Sequence, residues 1–300
     1  MKPKISVVIN TRNEEKNIER AIVSAKWADE IVVCDMHSTD ETVAIAKKLG
    51  AKVVFYENVN YVEPARNFAI GESLGDWVLI LDADEEIPDS LAKRLTEMLE
   101  KPIVSTFVEI PRKNIIFNRW VKASMWWPDY NIRFFKKGSV EWEDKIHSRP
   151  KTVGQGVRLP EEERWAITHH HYDSLSQYLQ RMDRYTTIQA TELKESGAEF
   201  VWSDLISKPL GEFLSRFFAN RGFEDGIHGL ALSLLQAFSF LVVYLKLWEY
   251  RGFKEQNPSL KEFKDLSKSS GSEINYWFKY GNLSENPIKR VMQKARNRLS

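Results

Sequence analysis

Short apolar runs rich in β-branched residues recur along the first third of the chain, at Ile5–Ile9, Ile31–Cys34, Val53–Phe55 and Trp77–Leu81. Each run is continuous and bounded by polar residues, as strands buried on both faces of a parallel sheet require. Between the runs the apolar period becomes helical. Ile18, Ala21, Ile22 and Ala25 share one face, and so do Val43, Ala46 and Leu49. Ala65, Phe68 and Ala69 form a third such face, and Leu91, Leu95 and Leu99 a fourth. This alternation predicts an α/β fold, a doubly wound sheet with helices on both faces, whose ligands sit beyond the carboxyl ends of the strands.

The polar residues at those ends carry the candidate chemistry. The first run leads into Asn10-Thr11-Arg12-Asn13-Glu14-Glu15, with no GxGxxG turn and no Walker loop, so dinucleotide and P-loop readings lose their main support. The second run ends in Asp35, an acceptor for a base or ribose, ahead of a Ser38–Thr42 segment that reads as a helix cap. The fourth ends in Asp82-Ala83-Asp84-Glu85-Glu86, a DXD pattern. At the end of an extended segment, residues i and i+2 point the same way. Asp82 and Asp84 can then place hard oxygens around one divalent cation, with substrate phosphates completing its shell. The competing explanation is an acidic cap on a helix that starts near Pro88 and Asp89.

Taken together, Ile5–Glu15, Val33–Thr42, Pro64-Ala65-Arg66-Asn67 and Leu81–Glu85 resemble family 2 glycosyltransferases of the GT-A fold. The resemblance implies a Rossmann-like, mostly parallel sheet, a nucleotide-diphosphate sugar donor (a UDP-sugar foremost), inversion at the anomeric carbon, and Mg²⁺ or Mn²⁺ as cofactor. It assigns Thr11, Asn13 and Glu15 to the nucleotide pocket, Asp35 to the base, and Arg66 to the ribose or diphosphate. Asp82 falls to the ribose or metal, and Asp84 to the metal. A guanidinium fork suits phosphate oxygens, which agrees for Arg66; a surface arginine on a helix is the plainer alternative.

The segment Lys101–Pro150 is rich in tryptophan and arginine. Trp126, Trp127 and Trp142 are candidates for stacking on a saccharide or for simply filling a core. The stretches Trp127–Phe135 and Glu143–Pro150 resemble the acceptor half of a bacterial subgroup that extends lipopolysaccharide core or related cell-envelope glycans. Inverting transfer needs a base for the acceptor hydroxyl, and the candidates are Asp144, Glu143 and Asp129; the alternative for each is a surface ion pair. Arg133 resembles a diphosphate contact. By analogy with GT-A enzymes, His147 or a member of His169-His170-His171 supplies a further metal ligand; in a strand, His169 and His171 share a face.

Beyond residue 171 the pattern turns helical. Tyr172–Ser196 reads as one helix, Gly229–Leu245 is uncharged and at the lower edge of membrane-spanning length, and Asn286–Ser300 reads as a basic amphipathic helix. Ser267–Ser272 reads as a linker. The expected domains are a catalytic one at 1–170 (a nucleotide-sugar half at 1–100 and an acceptor half at 101–170), a helical, membrane-associated region at 171–266, and a linker with basic tail at 267–300. An apolar helix closing in Tyr244, Lys246 and Trp248 fits interfacial anchoring. Lys+Arg 43 against Asp+Glu 42 gives a net charge of +1, without the basic footprint of nucleic-acid binding. The single Cys34 rules out an internal disulfide framework. Met1-Lys2-Pro3-Lys4 leads into an apolar run too short for a signal peptide, so a cytoplasmic start is expected. These readings converge on a metal-assisted, inverting hexosyltransferase at the cytoplasmic face of the inner membrane, acting on a glycolipid or lipopolysaccharide-core acceptor. Transfer to polyprenyl phosphate, and an inactive sugar-binding scaffold, are the alternatives.

Overall fold

The computed structural model describes residues 2–57, 62–100, 104–143 and 150–280. The chain begins with β1 (Ile5–Thr11), α1 (Ile18–Ser24), β2 (Glu30–Asp35), α2 (Thr42–Lys48), β3 (Lys52–Phe55), α3 (Glu63–Glu72) and β4 (Trp77–Asp82). Next come β5 (Glu85–Glu86), α4 (Asp89–Met98), β6 (Ser105–Ile116), β7 (Arg119–Trp120), β8 (Asp129–Lys136) and β9 (Val140–Glu141). They are followed by β10 (Lys151–Thr152), β11 (Gln155–Arg158) and β12 (Ile167–Tyr172). The rest is helical: α5 (Leu175–Glu195), α6 (Asp204–Leu214), α7 (Gly226–Tyr250) and α8 (Leu260–Tyr280). Two compact units result, one from residues 1–115 and 127–171, the other from 116–126 and the helices after 171.

In the first unit the sheet order is β3-β2-β1-β4-β8-β6-β12-β5, with β11 beside β6. The strands β3, β2, β1 and β4 run parallel, and β8 then pairs antiparallel with both β4 and β6. Strand parity sorts the side chains of the continuous apolar runs into two cores. Val7, Ile9, Val33, Leu79 and Leu81 pack against α1, α2 and α4 through Ile22, Ala46, Leu91 and Leu95. Val8, Val32, Val78 and Ile80 pack on the opposite face against Ala65 and Ala69 of α3, with Phe135 and Trp142. Burying each large aliphatic contributes roughly 1.5–3 kcal/mol, so both faces hold the strands. Trp142 thereby fills a core. Cys34 lies in the same core, and burial pushes its thiol up to about 12, which makes it a packing residue and not a nucleophile.

The second unit centres on α7, which packs along α5 and α6. The segment 116–126, expected with the acceptor half, belongs here because Ile116 and Val121 are buried among Tyr172, Tyr178 and Leu232. Two further expectations change. Lys246 does not reach outward from the end of the apolar run; its ammonium donates to the Asp183 carboxylate at 2.7 Å and to the Thr187 hydroxyl at 2.6 Å, both on α5. Ser267–Ser272 is not a linker but lies inside α8, where apolar residues recur on either side of the serines at Phe263, Leu266, Ile274 and Trp277.

Gly75 lets the chain entering β4 lie against β1, since a Cβ there would stand 2.6 Å from the Ser6 amide nitrogen and 2.9 Å from the Trp77 carbonyl oxygen. Gly71 in α3 has open space around it. Gly75→Ala is therefore expected to lower stability by about 1–3 kcal/mol in urea titrations. Gly71→Ala should raise stability by roughly 0.5–1 kcal/mol, the ordinary gain for a helix interior.

Candidate active site

The connection from β1 leads to β2 on one side while β4 lies on the other, so a crevice opens beyond the carboxyl ends of β1 and β4. Asn10 and Asp82 are register partners there. Asn10 and Thr11 are buried, yet Asn10 Nδ2 and Oδ1 and Thr11 Oγ1 have no partner among the described residues. Each buried polar group left unpaired costs about 1–3 kcal/mol, so this floor is built for a ligand that brings its own donors and acceptors. Thr11 is among the residues expected from sequence. Asn10 is not, although an amide closing an apolar strand was a readable signal.

The loops after β1 and β2 are knitted together. Asn13 takes a left-handed conformation (φ 55°), donates its N–H to Ser38 Oγ at 2.8 Å, and accepts the Thr39 N–H on Oδ1 at 2.8 Å. Glu15 accepts the Glu41 N–H at 3.2 Å. The fully buried Asp35 takes the Ser38 N–H at 2.8 Å and the Ser38 hydroxyl at 2.5 Å. Asn13, Glu15 and Asp35 thus brace the rim of the crevice.

Behind the rim runs a chain of ion pairs. Arg133 on β8 is only 4% exposed and donates to Asp82 Oδ2 at 2.6 Å and Glu85 Oε1 at 2.7 Å. Arg66 on α3 holds the other Asp82 oxygen at 2.9 Å, with its guanidinium 5.8 Å from the Trp142 ring. Asn67, its neighbour, exchanges two hydrogen bonds with the Trp142 backbone and so fixes the segment just after β9 to α3. Arg112 on β6 reaches Glu85 at 3.3 Å and Asp129 at 2.6 Å. Burial works against the charge on Asp82, but the Arg133 and Arg66 guanidinium groups outweigh it and hold the carboxyl well below the usual carboxylate range. For Asp129 too, burial opposes the charge and Arg112 outweighs it, so its carboxyl lies below the usual value.

Ala83 and Asp84 form a turn, because Glu85 and Glu86 leave β4 to pair antiparallel with His169 and Thr168 of β12. The expected same-face placement of Asp82 and Asp84 on one extended strand is corrected accordingly. Asp82 turns to the arginines. Asp84, nearly buried, turns to β12, where its Oδ1 lies 3.5 Å from His169 Nε2. His171 Nδ1 is 3.1 Å from the same nitrogen, and His170, of opposite parity, faces Glu86 at 3.4 Å. Among the described residues no three His, Cys, Asp or Glu side chains close into a ready-made metal cage. Asp84 and His169 nonetheless bring a hard oxygen and an imidazole nitrogen together beside the crevice, a donor set that fits Mg²⁺ or Mn²⁺ when substrate oxygens complete the shell.

The remaining expected residues fall as follows. Arg133 gives its Nη2 to Asp82 and Glu85, while its buried Nε–H has no partner among the described residues. Asp129 is clamped by Arg112 and Asn114, which makes it a weak proton acceptor. Glu143 pairs with Lys151 at 2.9 Å near the surface. Asp144 and His147 lie outside the described residues. Asn10, Glu85, Arg112 and Asn114 are the site residues that the sequence reading missed.

A parallel half-sheet with an open switch point, an acid pair at the fourth strand end and a polar floor defines a nucleotide-binding α/β enzyme. The family described as glycosyl transferase family 2 matches residues 6–154. An uncharacterized glycosyltransferase of Rickettsia conorii is 30% identical over 275 residues, spanning 87% of this chain and 95% of its own. The lipopolysaccharide core biosynthesis glycosyltransferase LpsC of Rhizobium meliloti is 23% identical, spanning 83% of this chain and 94% of its own. Among solved structures, glucosyl-3-phosphoglycerate synthase of Mycobacterium tuberculosis, in complex with Mn²⁺, UDP and glucosyl-3-phosphoglycerate, is 29% identical. That likeness covers 37% of this chain and 44% of that one, at a TM-score of 0.31. The chain belongs to the family 2 glycosyltransferases, enzymes that transfer a sugar from a nucleotide-sugar donor.

Arg133→Ala leaves Glu85 and Asp82 short of a buried counter-charge and is expected to cost about 3–5 kcal/mol in urea unfolding at neutral pH. In the parent protein the folded-state pKa of Asp82 lies below its unfolded value of about 3.9. The stability it contributes is therefore complete above that value and is lost as pH falls through the folded pKa. Stability measured from neutral pH down to about 2 should fall less steeply on the acid side in Arg133→Ala than in the parent.

Proposed function

We propose that this enzyme transfers a hexose, with inversion, from a UDP-sugar to a lipid-linked or lipopolysaccharide-core acceptor, with a divalent cation held by Asp84 and His169. The observation that carries this reading is the Asp84–His169 pair set beside the orphaned polar floor of Asn10 and Thr11. Asn10, Thr11 and the loops braced by Asn13, Glu15 and Asp35 would receive the nucleoside. Asp82, fixed by two guanidinium groups, would accept from the ribose hydroxyls. Arg66 keeps a buried Nε–H without a partner among the described residues and would turn it to the diphosphate. The bound cation supplies charge stabilisation for the departing nucleoside diphosphate. Asp144 is the proposed base. Among its competitors, Asp129 is committed to Arg112 and Glu143 to Lys151. The Rhizobium meliloti relative, named for lipopolysaccharide core biosynthesis, supports the acceptor class.

A peripheral seat on the cytoplasmic face of the inner membrane belongs to the same proposal. One helix among the described residues, Gly222–Tyr250, is long and apolar enough to cross a membrane. Its outer stripe of Ile227, Ala231, Leu234, Phe238, Leu241 and Leu245 is wholly apolar, and Ile227, Leu234 and Phe238 are 70%, 52% and 46% exposed. Alongside it, α5 exposes Asp183, Arg184, Glu192, Lys194 and Glu195, and a crossing α7 would draw these charges toward hydrocarbon at roughly 2.5–3.5 kcal/mol each. A helix lying in the interface plane buries the stripe and leaves α5 wet.

Calorimetric titration of UDP, GDP and ADP, each with and without Mn²⁺, tests the donor site; Mn²⁺-dependent binding of UDP alone is expected. Asp84→Ala should abolish turnover with an unchanged circular dichroism spectrum, and full activity in that variant would overturn its role at the metal. Replacing a glycan acceptor with polyprenyl phosphate in the assay separates the two acceptor classes. For the membrane seat, Leu234→Glu with Phe238→Glu should release the protein from anionic vesicles in flotation assays, and unchanged flotation would refute the stripe.

A further inference from the structure

The Asp84–His169 pair is held by a hydrogen-bonded relay whose direction can be read atom by atom. Asp129, ionised and clamped by Arg112, can only accept. Asn114 is 1% exposed, and its Nδ2 lies 3.2 Å from Asp129 Oδ2, so the amide is fixed with nitrogen toward the carboxylate and oxygen away from it. That oxygen lies 2.7 Å from His169 Nδ1. A carbonyl oxygen can only accept, so His169 carries a proton on Nδ1; in that tautomer Nε2 is an acceptor and takes the His171 Nδ1–H. Nε2 is the nitrogen that faces Asp84 Oδ1 at 3.5 Å and His171 Nδ1 at 3.1 Å.

We infer that Asn114 is a positioning residue for the metal centre. It selects the His169 tautomer whose Nε2 lone pair, taken by the His171 N–H in the metal-free structure, can turn to a divalent cation beside Asp84, and Asp129 in turn selects the orientation of Asn114. The inference rests on the proposed metal reading. It also gives Asp129 a task that its low proton affinity suits, where general-base work would not. An outer-shell partner of this kind is typically worth 10–100-fold in metal affinity.

The test is Mn²⁺ binding to the full-length protein without nucleotide, read as loss of the free-ion electron paramagnetic resonance signal. The parent, Asn114→Ala, Asn114→Asp and His169→Ala are compared, with metal-free melting curves confirming that each variant folds. Asn114→Ala should bind Mn²⁺ about 10–100-fold more weakly than the parent. Asn114→Asp keeps an oxygen acceptor opposite Nδ1 but has no N–H for Asp129, so it should recover part of that loss. In metal-free protein labelled with ¹⁵N-histidine, the His169 resonances, assigned by their absence from His169→Ala, should report Nδ1–H and bare Nε2 in the parent and lose that preference in Asn114→Ala. Parent-like Mn²⁺ affinity in Asn114→Ala, or equal weakening in both Asn114 variants, overturns the relay while leaving the metal reading intact. If the parent binds Mn²⁺ only with UDP present, the same comparison is made with UDP; absence of Mn²⁺ binding by the parent under both conditions overturns both.

Discussion

A guanidinium held almost entirely away from water has to find its counter-charge inside the protein, and Arg133 finds it in two carboxylates from opposite ends of a tight turn. An unpaired ion at such depth costs several kcal/mol, more than any one apolar contact nearby returns. Asp82 and Glu85 are therefore constraints on the backbone as well as partners. With Glu85 fully buried against Arg133, the chain after β4 has to fold back within two residues, and Ala83 and Asp84 become the turn. The place of Asp84 beside β12 follows from that reversal.

The same pairing joins the two halves of the sheet. Asp82 ends the last parallel strand, Arg133 lies on the antiparallel β8, Arg112 and Asn114 on β6, and His169 on β12. Every step between these strands is a charge-assisted or buried hydrogen bond. A disturbance at any member thus reaches the crevice through a change of partner and not through diffuse strain. A rigid, pre-paired arrangement of this kind suits a reaction whose main demand is stabilising charge on a leaving group, because no reorganisation is left to perform when that charge develops.

The parallel half was legible in the sequence because local pattern determines it: four continuous apolar runs, four helical stripes, and polar residues at the strand ends. Asp82 and Asp84 could be named for the same reason, and Arg66 through the family resemblance. Glu85 could not, since next to Asp84 it looks like one more acid ahead of a helix, and only pairing with β12 buries it. Arg112, Asn114 and His169 come from strands far apart in sequence, and their convergence depends on the register of β6, β8 and β12, which no local periodicity encodes. The serines of α8 misled in the opposite direction. A loop-like composition there sits between apolar residues at helical spacing, and the spacing prevailed.

The closure of charge within the network bears on what the crevice still lacks. Arg66, Arg112 and Arg133 are matched by Asp82, Glu85 and Asp129, so the platform behind the crevice is electrically neutral as a set. Asp84 adds a further negative charge at the edge. A nucleoside diphosphate leaving its sugar needs positive potential at its phosphates, and a neutral platform edged by an acid offers the opposite sign. Arg66 can lend one side of its guanidinium, but its charge is already shared with Asp82. Under the proposed reaction, the balance has to be restored by a cation that sits where Asp84 and a histidine lone pair meet. Arg66 and Arg133, which look from sequence like phosphate clamps, then also hold Asp82 and Glu85, and with them the turn that carries Asp84.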